Sequence, residues 1–348
     1  MKPRDSSHPK QGEEQPMQPI TKPNDFQEYW QAVLRIVDDY APDVSITRWE
    51  NEDPHYEGEY IIDRRTVPEV SNPEDINPFD FRWWDHTILT GLTVQKLLFP
   101  SFDGHEVGGL LQYPRSSSTR KLPTIVHFTG YGGELMVDAD FVSAGYAVLN
   151  FSHRGMYLGR KNFDRYTPVP LLVRDIEDKE RYVYRSIVID CLLAIKALSS
   201  LEFVDPRRIA VMGMSQGAGL SVMTAALNPR IKALAADVPW LTHFAYQLSH
   251  DVEGPYNEIK EFCRRFPEKE AAALETLGYF DTLSFADRLD QPVLMSLGLE
   301  DSVCPPPSVR TLFQAIHAIK ALLEIPGMGH ERSTIWRYLT QKWFDFYV

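Results

Sequence analysis

The chain of 348 residues contains no apolar run long enough to cross a bilayer, and its first 22 residues contain no apolar segment of the kind that forms the core of a signal peptide. Its cysteines, Cys191, Cys263 and Cys304, are scattered and odd in number. That pattern suits neither a zinc site nor a disulfide framework. We therefore expect a cytoplasmic protein with no membrane partner, whose cysteines are reduced packing residues.

Clustered positive charge is also lacking. The formal net charge is -12 at pH 7, and no block of Lys or Arg occurs along the chain. Affinity for nucleic acid comes from clustered cations that release counterions, so we expect no nucleic-acid partner. The sequence has neither a metal-ligand cluster nor a nucleotide-binding fingerprint, which predicts that the protein uses no metal and no organic cofactor.

The N-terminal part of the chain is polar and rich in proline. Residues 1–22 have almost nothing to bury and predict a disordered tail. Asn24 with Gln27 three residues later is typical of a helix start, and apolar residues then recur at helical spacing. Residues 41–82 are irregular, which predicts a wrapped segment and no second domain. Residues 23–91 are thus expected to form an N-terminal helix and extension.

From residue 92 to residue 348, short apolar strands alternate with helices, including one predicted from about Asp175 to Leu201. Such alternation is typical of a mostly parallel sheet with helices on both faces. A helical insertion is expected at about 240–289, before the strand that precedes Glu300. The predicted strands span residues 93–99, 107–113, 124–128, 146–150, 208–212, 231–236, 292–297 and 321–325. Active sites of these sheets lie at the carboxyl ends of the strands, so polar residues there are the candidates for chemistry.

A G-x-S-x-G pentapeptide, residues 213–217, follows the predicted strand 208–212 and precedes a helical run. The glycines are needed because the serine occupies a strained strand-to-helix turn, in which a side chain two positions away would collide. A phosphate-binding turn is the alternative, but no Lys follows at the P-loop position and the glycine spacing is not that of a dinucleotide site. The pattern predicts an α/β-hydrolase fold with Ser215 as the nucleophile.

A serine hydroxyl needs a base, and the base needs an acid that fixes its tautomer. In this fold the order along the chain is Ser, acid, His. His330 follows the last predicted strand in a Gly-rich loop, where it can reach the sheet edge. His243 and His250 precede the acid-bearing strand end, and His317 falls within a predicted helix. His330 is therefore the expected general base.

The acid should follow the strand 292–297, where Glu300 and Asp301 are adjacent. Adjacent residues on a turn point to different sides, so one of the two faces His330, and periodicity does not choose between them. Asp237, at the end of the preceding strand, is a third candidate of lower rank.

The oxyanion of the tetrahedral intermediate requires two backbone N–H donors. One should be Gln216, the residue after the nucleophile, and the other should lie in the loop after the first parallel strand. That loop is Thr129-Gly130-Tyr131-Gly132-Gly133, whose glycines allow close approach to a substrate. We expect Tyr131 to supply the second donor. An ordinary tight turn is the alternative explanation of these glycines.

These motifs resemble those of the acetyl xylan esterase and cephalosporin C deacetylase family, carbohydrate esterase family seven. The similar stretches are residues 130–133, 213–217, 237–239, 254–259, 298–306 and 329–331. The resemblance covers roughly residues 92–348, and residues 25–30 are similar to the family's N-terminal helix. It places the family's catalytic aspartate on Asp301.

The resemblance implies a serine esterase that removes small acyl groups, O-acetyl above all, from sugars or other small alcohols through an acyl-enzyme. It also implies a homo-oligomer, in the family a ring of six chains. One departure is Arg154-Gly155-Met156, where the family has Arg-Gly-Gln; Arg154 is expected to brace loops and Met156 to alter acyl or leaving-group preference. Hydrolysis of a different acyl or peptide bond in secondary metabolism is the alternative. A catalytically silent scaffold homologue is a further one.

Overall fold

The computed structural model describes residues 20–48, 91–115, 121–132, 135–160 and 170–348. Most of the predicted N-terminal tail, and the predicted wrapped segment beyond residue 48, lie outside the described residues. Lys22, near the end of the predicted tail, forms an exposed ion pair with Asp287 at 2.7 Å.

Within the described residues the chain forms one sheet of nine strands in the order β1-β2-β3-β5-β4-β6-β7-β8-β9. The strands are β1 (Ser45–Arg48), β2 (Leu92–Pro100), β3 (Glu106–Pro114), β4 (Leu122–Phe128), β5 (Ala147–Ser152), β6 (Val204–Met214), β7 (Ile231–Asp237), β8 (Val293–Gly298) and β9 (Lys320–Ile325). β1, β2, β3 and β5 pair antiparallel in succession, and all pairs from β5 through β9 are parallel. The predicted mostly parallel sheet is confirmed.

Helices cover both faces of this sheet. They are α1 (Phe26–Asp39), α2 (Ala139–Ser143), α3 (Val183–Ser199), α4 (Gln216–Leu227), α5 (Phe244–Ser249), α6 (Tyr256–Arg265), α7 (Glu270–Phe280), α8 (Pro306–Ala315) and α9 (Thr334–Tyr347). On β4, Val126 and Phe128 belong to the core shared with α1, α3 and α4, whereas Ile125 belongs to the core shared with α2 and α9. Alternate side chains of one strand thus serve two hydrophobic layers.

The central strands read as continuous apolar runs because both of their faces are covered. Every residue of β5 and of β8 is buried, whereas the edge strands β1 and β9 are partly exposed. None of the described helices has the length and apolar character needed to cross a membrane.

The order of the strands in the sheet indicates where a ligand would bind. The order along the sheet reverses at β4, which lies between β5 and β6. In doubly wound sheets the crevice at such a switch point, outside the carboxyl ends of the strands, is where ligands bind. The loop after β4 and the turn after β6 therefore meet at this crevice.

Local predictions failed where side chains had long-range partners. The predicted N-terminal helix is α1, but its N-cap residue is Asp25 and not Asn24, and Asp25 makes no side-chain capping bond. The Asp25 carboxylate instead accepts hydrogen bonds from Lys179 Nζ at 2.7 Å and from the hydroxyl of Tyr279. A tertiary contact thus replaces the local cap.

Two further predictions need correction. The helix expected from Asp175 begins at Val183, because Asp175 has a φ of 56°, in the left-handed region that interrupts a helix. The segment predicted to be irregular contains β1, which gains its strand structure by pairing with residues 95–98 of β2.

A buried ion pair joins three segments next to the sheet. Arg154 donates through Nε and Nη2 to the two oxygens of Asp190, both at 2.8 Å, and through Nη1 to Asp103 at 2.7 Å. Ser101 also donates to Asp190, which is fully buried. The predicted bracing role of Arg154 thus has a definite set of partners, on α3 and on the turn between β2 and β3.

Replacing Arg154 by Met leaves the carboxylate of Asp190 buried without its cation. We expect the free energy of unfolding to fall by about 3–5 kcal/mol, as measured by urea denaturation. Arg310→Met is the matched control, since Arg310 pairs with Glu324 at the surface. A loss in the control as large as that of Arg154→Met would contradict the assigned importance of burial.

Candidate active site

Ser215 lies at the sharp turn between β6 and α4, with φ 56° and ψ -121°. A positive φ is unfavourable for a residue with a Cβ and persists where the surroundings enforce it. Here the Ser215 N–H donates to the carbonyl of Asp237 at 2.9 Å, and its carbonyl accepts from the N–H of Trp240 at 3.0 Å. The strained turn is thus held by the end of β7 and by the segment that follows it.

The two glycines of the pentapeptide are required by close backbone approach. A Cβ on Gly213 would lie 2.3 Å from the carbonyl carbon of Gly217, and a Cβ on Gly217 would lie 2.1 Å from the carbonyl oxygen of Phe128. Both distances are far below any van der Waals contact. The same packing presses the start of α4 against the end of β4.

The structure brings Ser215, His330 and Asp301 together. His330 Nε2 lies 3.0 Å from Ser215 Oγ, and its Nδ1 lies 2.9 Å from Asp301 Oδ2. An ionised carboxylate accepts only, so the proton of the neutral ring belongs on Nδ1. Nε2 is then free to accept the proton of the serine hydroxyl.

Close packing of the loops after β8 and β9 sets this arrangement. A Cβ on Gly298 would lie 2.3 Å from the carbonyl oxygen of Met328, and the N–H of Glu300 donates to that same oxygen at 3.0 Å. The other carboxylate oxygen of Asp301 accepts from the N–H groups of Val303 and Cys304 at 2.8 and 2.7 Å. These hydrogen bonds hold the Asp301 carboxylate in place through the oxygen that does not contact His330.

The other candidates for acid and base lie elsewhere. Glu300 is exposed, and Asp237 accepts a hydrogen bond from the hydroxyl of Ser296. His317 is exposed and lies two residues beyond the end of α8, so the prediction that it falls within a helix is wrong. His243 and His250 lie against Tyr246.

Of the two predicted oxyanion donors, Gln216 follows Ser215 in the chain, and the loop that carries Tyr131 packs against the residue before Ser215. Gln216 is the first residue of α4, and Tyr131 follows β4 in a loop where a Cβ on Gly130 would lie 3.5 Å from the carbonyl oxygen of Met214. Within the described part of the chain, no protein acceptor takes the N–H of Gln216 or of Tyr131. Both groups can therefore receive an external acceptor.

A buried network that the sequence did not reveal holds the side chain of Gln216. Its Oε1 accepts from the hydroxyl of Tyr184 at 2.6 Å, and its Nε2 lies 2.9 Å from His153 Nε2. His153 Nδ1 lies 2.7 Å from the carbonyl oxygen of Arg154, so Nδ1 carries the proton and Nε2 accepts from Gln216. Burial lowers the pKa of His153 to about 4, which keeps the ring neutral.

Cys304, predicted to be a packing residue, lies beside the triad. Its sulfur, Asp301 and His330 offer potential metal-ligand atoms within 4.8 Å of one another. Cysteine ligates as the thiolate, whereas burial raises the pKa of Cys304 well above its ordinary value. Both ring nitrogens of His330 are also engaged, by Ser215 and Asp301. The donor set therefore fits a proton relay better than a metal site.

A cavity lies between the ends of β6 and β7 and helix α9, lined in part by Met214, Asp237, Arg332 and Trp336. Asp237 is almost fully buried there. Burial raises its pKa to about 7, against the lowering effects of the Ser296 hydroxyl and of the positive charge of Arg332. This carboxyl therefore changes charge near neutral pH.

That pKa predicts a pH dependence of stability. The native state holds the Asp237 proton between about pH 4 and pH 7, whereas the unfolded state has lost it. Unfolding then releases a proton, so stability falls as pH rises through this window, by about 1.4 kcal/mol per pH unit at most. We expect Asp237→Asn to remove this contribution, as measured by urea unfolding at pH 5, 6 and 7. Equal pH slopes in the wild type and the variant would contradict it; Asp287→Asn, at an exposed carboxyl, is the control.

Residues 68–347 match the acetyl xylan esterase family, AXE1. An acetyl esterase of Xylanibacter ruminicola is 28% identical in an alignment of 309 positions that covers 79% of this chain and 69% of that protein. Among solved structures, the acetyl xylan esterase of Paenibacillus sp. R4 has a TM-score of 0.78 at 24% identity and covers 96% of this chain and 98% of its own.

Acetyl xylan esterase 1 of Thermoanaerobacterium sp. JW/SL YS485 has a TM-score of 0.74 at 25% identity and covers 94% of each chain. The family match spans most of the chain, including every strand from β2 to β9. The resemblance seen in the sequence motifs is thereby confirmed. This chain belongs to the acetyl xylan esterase family and is a carboxylic ester hydrolase of the α/β-hydrolase fold.

Proposed function

We propose that the protein is a serine esterase that removes O-acetyl groups from sugars or other small alcohols, with Ser215 as nucleophile, His330 as general base and Asp301 as orienting acid. One observation carries the proposal: a single imidazole contacts Ser215 Oγ through one nitrogen and the buried Asp301 carboxylate through the other. That arrangement turns a weak nucleophile into an activated one.

The proposed reaction has two halves. Ser215 Oγ attacks the ester carbonyl while His330 Nε2 takes its proton, and the tetrahedral oxyanion is stabilised by the N–H groups of Gln216 and Tyr131. Each such donor typically contributes roughly 3 to 4 kcal/mol to the transition state. The intermediate collapses when its bond to the alcohol oxygen breaks and His330 protonates that oxygen. Water, activated by His330, then releases the carboxylic acid from the acyl-enzyme.

Acetyl specificity is supported by the relatives, which are described as acetyl and acetyl xylan esterases. Met156, where the family has glutamine, is buried, and its carbonyl oxygen accepts from the Ser152 hydroxyl at 2.6 Å and the Gly159 N–H at 2.7 Å. These contacts are made by the backbone, so they hold the turn that carries His153 whichever side chain is present at position 156. The competing proposal, in which Met156 reshapes the site for a different acyl or peptide bond, is separated from the first by substrate preference.

The triad assignment predicts distinct losses of activity in two variants. Ser215→Ala should lower kcat on p-nitrophenyl acetate by roughly 10⁶-fold, and Asp301→Asn by roughly 10⁴-fold, because the imidazole loses its orienting partner. Glu300→Gln, next to the acid but exposed, is the matched control and should retain activity. A fluorophosphonate probe should label the wild type and leave Ser215→Ala unlabelled. A wild type that the probe does not label would support the catalytically silent scaffold. An inactive Glu300→Gln variant would assign the role of the acid to Glu300 in place of Asp301.

Substrate preference is tested with p-nitrophenyl esters from acetyl to octanoyl, acetylated sugars and an aminoacyl p-nitroanilide. We expect the highest kcat/KM on acetyl esters and no hydrolysis of the anilide, with Ser215→Ala as the background. A preference for octanoyl would refute the acetyl assignment, and cleavage of the anilide would favour the peptide-bond alternative.

We further propose that the protein is a homo-oligomer. Large apolar side chains are exposed on the C-terminal helix α9, among them Ile335, Tyr338 and Phe346, and Ile319 is exposed just before the edge strand β9. Exposed apolar clusters mark association surfaces in soluble proteins. Light scattering of the full chain measures the number of subunits, for which the family resemblance predicts six. The cytoplasmic location remains a prediction from the sequence.

A further inference from the structure

The helical insertion between β7 and β8 contacts the loop that carries the second oxyanion donor. The hydroxyl of Tyr131 lies 3.2 and 3.3 Å from the two carboxylate oxygens of Glu258 and donates to them. Glu258 is on α6, and it is separated from Tyr131 by 127 positions in the chain. The single hydroxyl proton is shared between the two oxygens of the carboxylate.

The ring of Tyr131 is also held by the insertion. Its centroid lies 5.3 Å from that of Trp240, whose ring lies 5.1 Å from that of the buried Tyr256 at the start of α6. Trp240 is itself tied to the nucleophile, because its N–H donates to the Ser215 carbonyl at 3.0 Å. One aromatic row thus connects α6, the oxyanion loop and the backbone of Ser215.

The loop needs such support because its own backbone is weakly constrained. Tyr131 lies between Gly130 and Gly132, and Gly132 has a φ of 68°. Glycine populates both signs of φ readily, so the peptide groups around Tyr131 can rotate unless its side chain fixes them. The direction of the Tyr131 N–H then depends on what holds the phenol ring and its hydroxyl.

We infer that Glu258 is a positioning residue for ester hydrolysis: it accepts the hydrogen bond of the Tyr131 hydroxyl, and the insertion thereby completes the oxyanion hole. The inference rests on the proposed function, in which the Tyr131 N–H stabilises the oxyanion. Glu258 does not act on the substrate in this arrangement. Its effect reaches the reacting atoms through Tyr131.

A positioning role has a distinctive kinetic signature. The oxyanion exists in the transition state and in the tetrahedral intermediate, so a misdirected N–H lowers kcat and leaves the KM for the ester nearly unchanged. A Glu258 carboxylate that instead bound the alcohol part of the substrate would raise KM when removed. The two roles therefore separate in a single set of rate measurements.

The experiment compares Glu258→Leu, Tyr131→Phe, the double variant and Glu258→Gln on p-nitrophenyl acetate, with rates normalised to sites labelled by a fluorophosphonate. We expect Glu258→Leu and Tyr131→Phe each to lower kcat roughly 10-fold or more, which is less than the loss of roughly 10²–10³-fold that follows removal of an oxyanion donor. The KM of each variant should stay within about 2-fold of the wild-type value. The kcat of the double variant should be no lower than that of the slower single variant, because the two substitutions remove the same hydrogen bond. Glu258→Gln keeps an acceptor for the hydroxyl and should retain most activity.

Glu261→Leu is the matched control, since Glu261 is exposed on the same helix and pairs with Arg264. It should leave kcat unchanged. An unchanged kcat in Glu258→Leu, a rise in its KM alone, additive losses in the double variant, or an equal loss in Glu261→Leu would each overturn the inference.

Affinity for a phenylboronic acid, whose tetrahedral adduct occupies the oxyanion hole, provides a second readout. It should weaken in Glu258→Leu by the same factor as kcat/KM. An unchanged affinity would overturn the inference. Failure of the proposed function is recognised separately, by a wild type that no fluorophosphonate labels.

Discussion

The strained backbone of Ser215 is the constraint on which the rest of the site depends. A φ of 56° is costly for a residue with a side chain, on the order of 1–3 kcal/mol, and it survives because other segments hold it. The Ser215 N–H donates to the carbonyl of Asp237, and the N–H of Trp240 donates to the Ser215 carbonyl. Asp237 ends β7 and Trp240 follows it, so Ser215 reaches this conformation once β6 and β7 lie side by side. The geometry of the Ser215 hydroxyl is therefore a property of the assembled sheet.

Two buried carboxyl groups near this turn have different partners and different behaviour. Asp301 accepts hydrogen bonds from two backbone N–H groups and contacts the ring of His330. Asp237 has the Ser296 hydroxyl, and burial holds its pKa near 7. The same residue type is thus held by backbone N–H groups after β8 and titrates near neutral pH at the end of β7.

The two proposed oxyanion donors are anchored through their side chains by distant parts of the chain. Gln216 is held by Tyr184 and by the neutral ring of His153, and Tyr131 is held by Glu258 from the insertion. Preorganised donors stabilise an oxyanion without reorganisation during the reaction, so such anchors favour catalysis. Helices that look like a peripheral insertion in the sequence are in this way connected to the reaction centre.

The sheet-and-helix alternation and the position of the strand-to-helix turn at Ser215 could be predicted from the sequence alone, because both follow from local sterics: apolar runs covered on two faces, and glycines where a Cβ would collide with backbone. Tertiary structure decided what depends on side-chain direction. It placed Asp301, and not Glu300, against His330. It also paired the Asp25 side chain with Lys179 in place of a capping bond, and it brought Glu258 into contact with Tyr131. Spacing along the chain contains no information on such directions, which are set when loops from separate strands pack against one another.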